Sequence, residues 1–365
     1  MGKKMRVGIV GANAAGQGWA PISHIPALRL LPEFEIAAIC TAHSDTAAAA
    51  AKVYGVEHAF HDYRDMVRDP SIELVSVVVK VPNHYAVVMA ALSAGKHVYC
   101  EWPLGVSLAQ AQEMAALARH EGVHAMVGLQ ARGDPCMRYL RLLISEGYVG
   151  DVLAVNMTMF TGGVLDRPAL RIWDRERAMG VSALTVRGIH TIDALCYCLG
   201  EFVRLGAVVR TQVQQWRIAE TGEMVDVDAP DNILVNGILA NGALASVHVG
   251  TVPHNGSGWR MEIYGSNGTI RATSKGSPQR DASQLMGSRN GEALTPLPIP
   301  EHFTEMPAGT PTGPPQNVGH LYMRLARAIR EGSPVEPDFD LAVKRHILID
   351  AIQQASDEGR VVHVG

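Results

Sequence analysis

No apolar run in the sequence approaches the roughly 20 residues that a membrane-spanning helix needs. The N-terminus carries charges without the apolar core of a signal peptide, and Met1-Gly2 lacks the downstream Ser or Thr of a myristoylation site. Neither sign of charge is in large excess, because 32 Lys and Arg residues face 36 Asp and Glu residues. The sequence therefore predicts a cytoplasmic protein that has neither nucleic acid nor a membrane as its partner.

The sequence is also poor in cysteine and in metal-binding patterns. Its 5 cysteines are an odd number in mostly apolar surroundings, which favours small buried side chains over a disulfide framework. The pair Cys196-Tyr197-Cys198 lacks the spacing of a structural zinc site, and the 15 histidines form no H-E-x-x-H pattern. We therefore predict no metal site.

The strongest motif lies at the start of the chain. An apolar run over residues 7–10 predicts a buried strand, and it ends in Gly11-Ala12-Asn13-Ala14-Ala15-Gly16. This is nearly G-x-G-x-x-G, the turn that lets a pyrophosphate approach backbone N–H groups, with Asn13 in place of the middle glycine. Because Asn tolerates positive φ, the substitution weakens the motif without excluding it. A plain turn after a buried strand is the alternative to a dinucleotide site.

Strands and helices alternate over the first 130 residues, which predicts a doubly wound parallel sheet of the α/β class. In such sheets ligands bind beyond the carboxyl ends of the strands. The glycine turn contributes four candidate cofactor contacts, namely Gly11, Asn13, Ala14 and Ala15. The other strand ends contribute eight, namely Thr41, His43, Val81, Pro82, His84, Glu101, Trp102 and Gln130.

The end of the second strand bears on the choice of cofactor. An acid that would bind a free ribose 2′-hydroxyl is expected here, but the chain reads Cys40-Thr41-Ala42-His43-Ser44 and has no acid before Asp45. Thr41, His43 and Ser44 could instead bond a 2′-phosphate, so the sequence leans slightly to NADP over NAD. A polar strand end without a ligand role is equally compatible.

The second half of the chain predicts an α+β domain with a large, mostly antiparallel sheet. Hairpin turns at Asn241-Gly242 and Asn267-Gly268 separate its central strands. One sheet face needs a cover, which predicts a homodimer or homotetramer through this sheet. Residues 274–316, rich in Gly, Pro and Ser, predict a long surface loop. We place the domains at residues 1–130 and 131–365, with the last helix a candidate to pack against the first domain.

Five segments together resemble one known family. The chain resembles the glucose–fructose oxidoreductase/inositol dehydrogenase (Gfo/Idh/MocA) family over essentially its whole length. The matching segments are residues 7–16, 79–85, 101–104, 128–132 and 188–193. The resemblance implies a Rossmann domain, a sheet domain used for dimerisation, and NAD(P)-dependent redox chemistry on sugars, cyclitols and related hydroxyl compounds. Asn13-Ala14-Ala15 and His84-Tyr85 resemble the branch that contains the fungal galactose-regulon repressor, a dinucleotide-binding regulator.

The catalytic residues that the resemblance implies are only partly present. The family commonly uses a lysine and an aspartate where this chain has Trp102 and Val186, whereas His190 and Asp193 match. We therefore predict His190 as the acid/base and Asp193 as a residue that orients it. A buried histidine without a catalytic role is the alternative.

Lys80 and three further residues are candidates for the chemistry or the substrate. Lys80 follows a buried valine run, where partial desolvation would lower the pKa of its ammonium group; an exposed side chain is the alternative. Arg187, three residues before His190, would face an anionic group. Arg132 would contact substrate or a domain interface, and Trp173 would stack on a sugar.

Two functions follow from these patterns. The first is an NAD(P)-dependent oxidoreductase that moves a hydride between nicotinamide and a secondary alcohol or ketone of a polyol or sugar-like compound. The second is a catalytically silent dinucleotide-binding regulator. The absent lysine and aspartate favour the second, and the retained His190, Asp193 and Lys80 favour the first.

Overall fold

Residues 3–364 are described in a computed structural model, in which the chain divides into two units. The Rossmann unit contains residues 3–133 and 305–344, and the sheet unit contains residues 134–304 and 345–364. Residues 305–344, which the sequence places in the second domain, therefore contribute to the first unit. Within the described chain no helix combines the length and apolar character that crossing a membrane requires.

The Rossmann unit is built on a six-stranded parallel sheet with the order β3-β2-β1-β4-β5-β6, which confirms the predicted doubly wound α/β fold. The strands are β1 (Met5–Val10), β2 (Phe34–Cys40), β3 (His58–Phe60), β4 (Leu74–Val77), β5 (His97–Glu101) and β6 (Ala125–Gly128). The central strands β1 and β4 are largely buried, as their β-branched and apolar residues predict. The short edge strand β3 has no such pattern and was not predicted.

The sheet unit contains a nine-stranded sheet with the order β17-β16-β15-β14-β7-β13-β12-β9-β18. Only the β7–β13 pair runs parallel, which confirms a mostly antiparallel sheet. A second sheet has the order β11-β10-β8. The strands are β7 (Val152–Thr161), β8 (Asp166–Arg167), β9 (Phe202–Arg210), β10 (Gln215–Ile218), β11 (Met224–Asp226), β12 (Asn232–Leu239), β13 (Leu244–Thr251), β14 (Gly258–Gly265), β15 (Gly268–Ser274), β16 (Gln284–Arg289), β17 (Thr295–Pro296) and β18 (Val362–His363).

The helices flank these sheets. They are α1 (Trp19–Ile22), α2 (His24–Leu30), α3 (Ser44–Tyr54), α4 (Tyr63–Arg68), α5 (His84–Ser93), α6 (Leu108–Glu121), α7 (Pro135–Ser145), α8 (Ile189–Leu199), α9 (Pro314–Glu331) and α10 (Phe339–Glu358). Most lie within a few residues of the helices that the sequence predicts, because apolar periodicity and glycine ends mark them.

The prediction of a surface loop over residues 274–316 is wrong. Within it, β16 pairs with β15 and with β17, and Leu285 and Gly287 on β16 are buried. A Cβ on Gly287 would lie 2.6 Å from Leu297 Cδ1 and 2.7 Å from the Tyr148 hydroxyl, so a side chain there would require these neighbours to shift. The strand was hidden because its glycine and serine residues, needed for close packing, are also the residues typical of loops.

Helix α9 completes the core of the Rossmann unit from a distant part of the chain. Its buried residues Val318, Leu321 and Leu325 belong to the same apolar cluster as Ile9 and Leu28. The ring of Tyr322 stacks on that of Tyr99, with centroids 4.8 Å apart. This packing is the physical reason that residues 305–344 belong with the first unit.

The outward face of the nine-stranded sheet keeps apolar residues accessible. Val208, Leu244 and Tyr264 are exposed there, whereas Val235 and Val247 on the opposite face are buried. Coverage of this face by a second copy, in a homodimer or homotetramer, stays a prediction.

A buried ion pair joins α8 to α10 inside the sheet unit. The Arg345 Nε donates to Asp193 Oδ1 at 2.7 Å, and both side chains are 1% exposed. The two terminal nitrogens of Arg345 donate to both carboxylate oxygens of Glu201, at 2.7 and 2.8 Å. Although burial alone would raise the pKa of Glu201, the Arg345 guanidinium lowers it below its usual value.

We predict that Arg345→Met destabilises the protein by about 3–5 kcal/mol, because the Asp193 carboxylate stays buried after its ion pair is lost. Urea unfolding measures the change. The matched control is Arg217→Met, whose ion pair with Asp166 has both side chains more than half exposed and should give no resolvable loss. Equal stability of Arg345→Met and wild type would contradict the prediction.

Asp134 generates a second prediction, on pH dependence. Its carboxylate caps α7 by accepting from Cys136 N at 2.9 Å, and it accepts from the Ser283 hydroxyl at 2.7 Å. Complete burial raises the pKa of Asp134 to about 7. Between its ordinary pKa near 4 and pH 7, the folded protein therefore holds a proton that the unfolded chain has released.

The Asp134 contribution to stability is therefore fully present below about pH 4 and is lost as the pH rises through 7. Asp134→Asn keeps a capping side chain but cannot titrate. We expect the wild type to lose stability relative to this variant, by at most about 1.4 kcal/mol per pH unit, between pH 5 and 7. Urea unfolding of both proteins from pH 5 to 8 isolates this group, and a difference that does not change with pH would count against the assignment.

Candidate cofactor and substrate sites

The turn after β1 lies at the topological switch point of the Rossmann unit, between β1 and β4. Gly11 N donates to Cys40 O at 3.0 Å, and Gly11 has a φ of 109°. A Cβ on Gly11 would lie 2.2 Å from Val78 O. Only glycine fits there, and this is the crevice in which doubly wound sheets bind nucleotides.

The backbone conformation of Asn13 differs from the one predicted. Outside glycine, a positive φ occurs among the described residues at Asn290 alone, so the positive-φ explanation of Asn13 is wrong. Its side chain instead brackets Gln17, donating to Gln17 O and accepting from Gln17 N, and Tyr54 donates its hydroxyl to Asn13 O at 2.6 Å. Gly16 and Gly18, with φ of 70° and 95°, supply the left-handed positions. Ala14 and Ala15, between Asn13 and Gly16, have accessible surface.

The hydroxyl of Thr41, which follows β2, forms its hydrogen bonds within its own loop. Its Oγ1 donates to His43 O at 3.1 Å and lies 2.6 Å from Thr46 Oγ1. His43 is exposed and precedes α3. Beside them, burial followed by the Asp62 and Asp65 carboxylates raises the pKa of the Cys40 thiol to about 12.

Glu101, at the end of β5, is held in a buried hydrogen-bond network. Its Oε1 accepts from His24 Nε2 at 2.8 Å and its Oε2 accepts from Gln130 Nε2 at 2.5 Å. The other ring nitrogen of His24 lies 2.7 Å from the Tyr322 hydroxyl, which lies 2.7 Å from Ser76 Oγ. One direction of donation satisfies every member: Ser76 to Tyr322, Tyr322 to His24, and His24 to Glu101.

His84 links the segments that follow β4 and β5 through hydrogen bonds of its ring. Its Nδ1 lies 2.8 Å from Pro103 O and its Nε2 lies 3.1 Å from Val79 O. Complete burial lowers the pKa of His84. Trp102 is 5% exposed, so its side chain also lies within the unit. These residues shape the strand ends, and Val81 beside them is buried while Pro82 is exposed.

Two predicted cations of the Rossmann unit have contrasting positions. Lys80 is exposed, whereas its predicted role required partial desolvation of the side chain. Arg132 is 3% exposed and forms an ion pair with Glu336. Arg324 Nη2 donates to Arg132 O at 2.7 Å. A substrate would therefore compete with Glu336 for the Arg132 guanidinium.

The sheet unit contains a cavity of about 340 Å³, a size typical of small-molecule sites. Val186 and Arg187 line it. They are delivered by a π-helical turn (Ala183–Gly188) that Ser182 and Thr185 cap reciprocally, at 3.1 and 2.9 Å. Such turns occur frequently at functional sites.

His190 follows this turn within α8 and is 5% exposed. Its neighbour Thr191 donates to the sulfur of Met159 at 3.2 Å, and Met159 lines the cavity. Asp193 is committed to Arg345. Trp173 is half-buried and lies outside the cavity lining.

The structure brings residues to the cavity that sequence reasoning missed. They come from separate segments, namely Thr161, Arg167, Asp174, Trp216, Thr251 and Arg280. No local spacing links them. The bulky or charged residues near β8 and β10, such as Arg167 and Trp216, were the available signal for a site. The sequence did not predict these two strands.

Comparison with known proteins identifies the family. Residues 5–129 match the Gfo/Idh/MocA oxidoreductase family model, described as an NAD-binding Rossmann fold, and residues 137–271 match the family's C-terminal domain model. The chain belongs to the Gfo/Idh/MocA family. This confirms the resemblance predicted from the motifs and shows an NAD-binding oxidoreductase family; the predicted lean to NADP gains no support from it.

Several relatives resemble the chain closely. The dehydrogenase aclE of Aspergillus oryzae is 32% identical over 246 residues, which cover 65% of this chain and 67% of that protein. The galactose/lactose metabolism regulatory protein GAL80 of Saccharomyces cerevisiae is 31% identical over 255 residues, covering 65% of this chain and 58% of that protein. A super-repressor mutant of yeast Gal80p has a TM-score of 0.88 and 25% identity, covering 99% of this chain and 98% of its own.

A third relative is a sugar dehydrogenase. The levoglucosan dehydrogenase of Pseudarthrobacter phenanthrenivorans is 25% identical over 384 residues, covering 97% of this chain and 96% of that protein. A levoglucosan dehydrogenase complex with NADH and L-sorbose has a TM-score of 0.86 at 23% identity, covering 100% of this chain and 99% of its own. At that identity the structural likeness shows the fold alone.

We predict that Gly11→Ala weakens NADH binding at least tenfold, because the new Cβ would displace Val78 at the switch point. Titration of NADH fluorescence measures the affinity, with circular dichroism to verify folding. Gly55→Ala is the matched control, because Gly55 also has a left-handed φ, 61°, but no atom within 4 Å of a Cβ. Unchanged affinity in Gly11→Ala would argue against a cofactor at this turn.

Proposed function

We propose that this protein is an NAD(H)-dependent dehydrogenase or reductase that acts on a CH–OH group of a polyol or sugar-like compound. The observation that carries the proposal is the close approach of Gly11 to Val78 O at the switch point, a cradle that a Cβ would fill. Membership of an NAD-binding oxidoreductase family supports it. The levoglucosan dehydrogenase relative, which matches 97% of this chain, supports a sugar-like hydroxyl compound as substrate.

NAD is the proposed cofactor in preference to NADP. The Thr41 hydroxyl, one of the three groups on which the NADP prediction is based, is engaged by His43 O and Thr46 Oγ1 within its own loop. The family model that matches this unit is described as NAD-binding. When bound at the Gly11 turn, NAD⁺ would supply the acceptor for the hydride that leaves the alcohol carbon.

His190 is the proposed acid/base, because it matches the family's histidine and follows the cavity-lining turn directly. Its imidazole would take the hydroxyl proton as the C–H electron pair leaves as hydride, so that alcohol becomes ketone. Asp193 is proposed as a positioning residue, since its contact with Arg345 anchors α8. Lys80 is the second candidate for the proton or for charge stabilisation, because it is accessible at the end of the β4 segment.

A dinucleotide-binding regulator is the second candidate function. Trp102, buried, and Val186, apolar, occupy the positions where the family commonly has its lysine and aspartate. The similarity to the GAL80 regulatory protein favours the same function. A regulator would bind NADH without turning over any substrate.

Turnover separates these two functions. Wild-type protein with NAD⁺ or NADP⁺ and a panel of sugars, cyclitols and aldehydes should change absorbance at 340 nm with at least one substrate. We predict that His190→Asn lowers kcat by about 100-fold or more while the Kd for NADH stays unchanged. His363→Asn, at an exposed position on β18, is the matched control.

NADH binding without turnover of any compound would overturn the enzyme proposal and support the regulator. A small effect of His190→Asn, in a protein that does turn over substrate, would instead move the acid/base role to Lys80 or to water.

A further inference from the structure

The cavity of the sheet unit is lined by an unusual number of guanidinium groups. Arg167, Arg171, Arg187 and Arg280 all line it, and they come from three separate segments of the chain. Like charges gathered in one concave site repel one another unless an anion lies among them.

Arg187 is the group that most needs an explanation. Within residues 3–364 its guanidinium forms no hydrogen bond and no ion pair, although it is only partly accessible. Burial and the neighbouring Arg167, Arg171 and Arg280 lower its pKa to about 10, so it stays charged at neutral pH. A largely buried cation without a partner is costly, which indicates a partner that is supplied from outside.

Arg167 is prepared for the same ligand. Its guanidinium lies over the ring of Trp216, 4.4 Å from the centroid, and its Nε is buried without a hydrogen-bond partner. Stacking holds the planar group while leaving its edge available, and that edge is the part that binds a carboxylate in a bidentate manner.

Each of the three acids that line the cavity already accepts at least one hydrogen bond from within the protein. Asp174 Oδ2 accepts from Arg171 at 3.0 Å, and Asp281 accepts from Ser277 N at 2.9 Å. Both oxygens of Asp231 accept backbone N–H groups, at 2.9 and 2.7 Å. Four guanidinium groups therefore face three carboxylates, which leaves one net positive charge and matches an anion of charge −1.

Uncharged polar groups complete the site. Thr161 and Thr251 are opposite each other on β7 and β13, and both hydroxyls are buried without a hydrogen-bond partner. Thr251 is 4% exposed. Asp174, 5% exposed, likewise keeps Oδ1 unpartnered. These oxygens are suited to the hydroxyl groups of a ligand.

We propose that this cavity binds a hydroxylated monocarboxylate, such as a sugar acid, with Arg187 and Arg167 on its carboxylate and Thr161, Thr251 and Asp174 on its hydroxyls. Where the proposed dehydrogenase function holds, this compound class is the substrate. The class differs from the neutral sugars named for the levoglucosan dehydrogenase relative.

Calorimetry and thermal unfolding of the full chain test this proposal. The probes are sodium D-gluconate and D-galactonate, their neutral counterparts D-glucitol and D-galactitol, and inorganic phosphate, all at constant ionic strength. We expect at least one carboxylate to bind and to raise the Tm, whereas the neutral alditols do not.

Two variants link that binding to the cavity. Arg187→Met should weaken carboxylate affinity at least tenfold, and Arg327→Met, which removes an exposed charge from α9, should not. Because Arg187 has no partner in the described chain, Arg187→Met without ligand should unfold at the same Tm as wild type or higher. A clear loss of Tm would mean that Arg187 is structural and would overturn the proposal.

The remaining outcomes also test the carboxylate proposal. Tighter, Arg187-dependent binding of inorganic phosphate would overturn the carboxylate class in favour of a phosphorylated ligand. No binding of either carboxylate, or binding that survives Arg187→Met, would overturn the proposal altogether. Turnover of neutral sugars in a protein that binds neither carboxylate would overturn this proposal and leave the dehydrogenase function intact. Carboxylate binding in a protein that turns over no compound would leave this site intact and overturn that function.

Discussion

A buried carboxylate organises the carboxyl edge of the Rossmann sheet. Glu101 would be costly to bury alone, and the protein surrounds it with His24 and Gln130 as donors. His24 in turn depends on Tyr322, which α9 contributes from a part of the chain more than 200 residues away. Through these bonds α2, β5 and α9 form one core. The network also reaches β4 through Ser76, one residue before the end of that strand.

The two units contribute different chemical groups. In the Rossmann unit, a buried tryptophan, Trp102, follows β5 and offers an apolar ring at the strand end. In the sheet unit, the apolar Val186 and the adjacent Arg187 line the cavity, and Arg187 places positive charge there. A site with this charge selects its ligand by its anionic group as much as by its hydroxyls.

Sequence patterns predicted well wherever neighbours along the chain determine the structure. β1, β4 and β5 were found because buried parallel strands are continuous apolar runs, and Gly11 because a crowded turn excludes any side chain. The same reasoning was wrong for Asn13. Its backbone is not left-handed, and its side chain forms a hydrogen bond with Gln17. It was also wrong for residues 284–289, where loop-like composition conceals a paired strand.

By itself the sequence determined the α/β fold, the family and the turn at Gly11, because each depends on short-range periodicity or on contiguous motifs. Only the tertiary structure decided that α9 belongs to the Rossmann core, that Asp193 is committed to Arg345, and that Arg167 and Arg187 share one cavity. Those facts depend on contacts between segments far apart in the chain. Contacts of this kind leave no spacing in a single sequence, because each partner satisfies its local pattern without reference to the other.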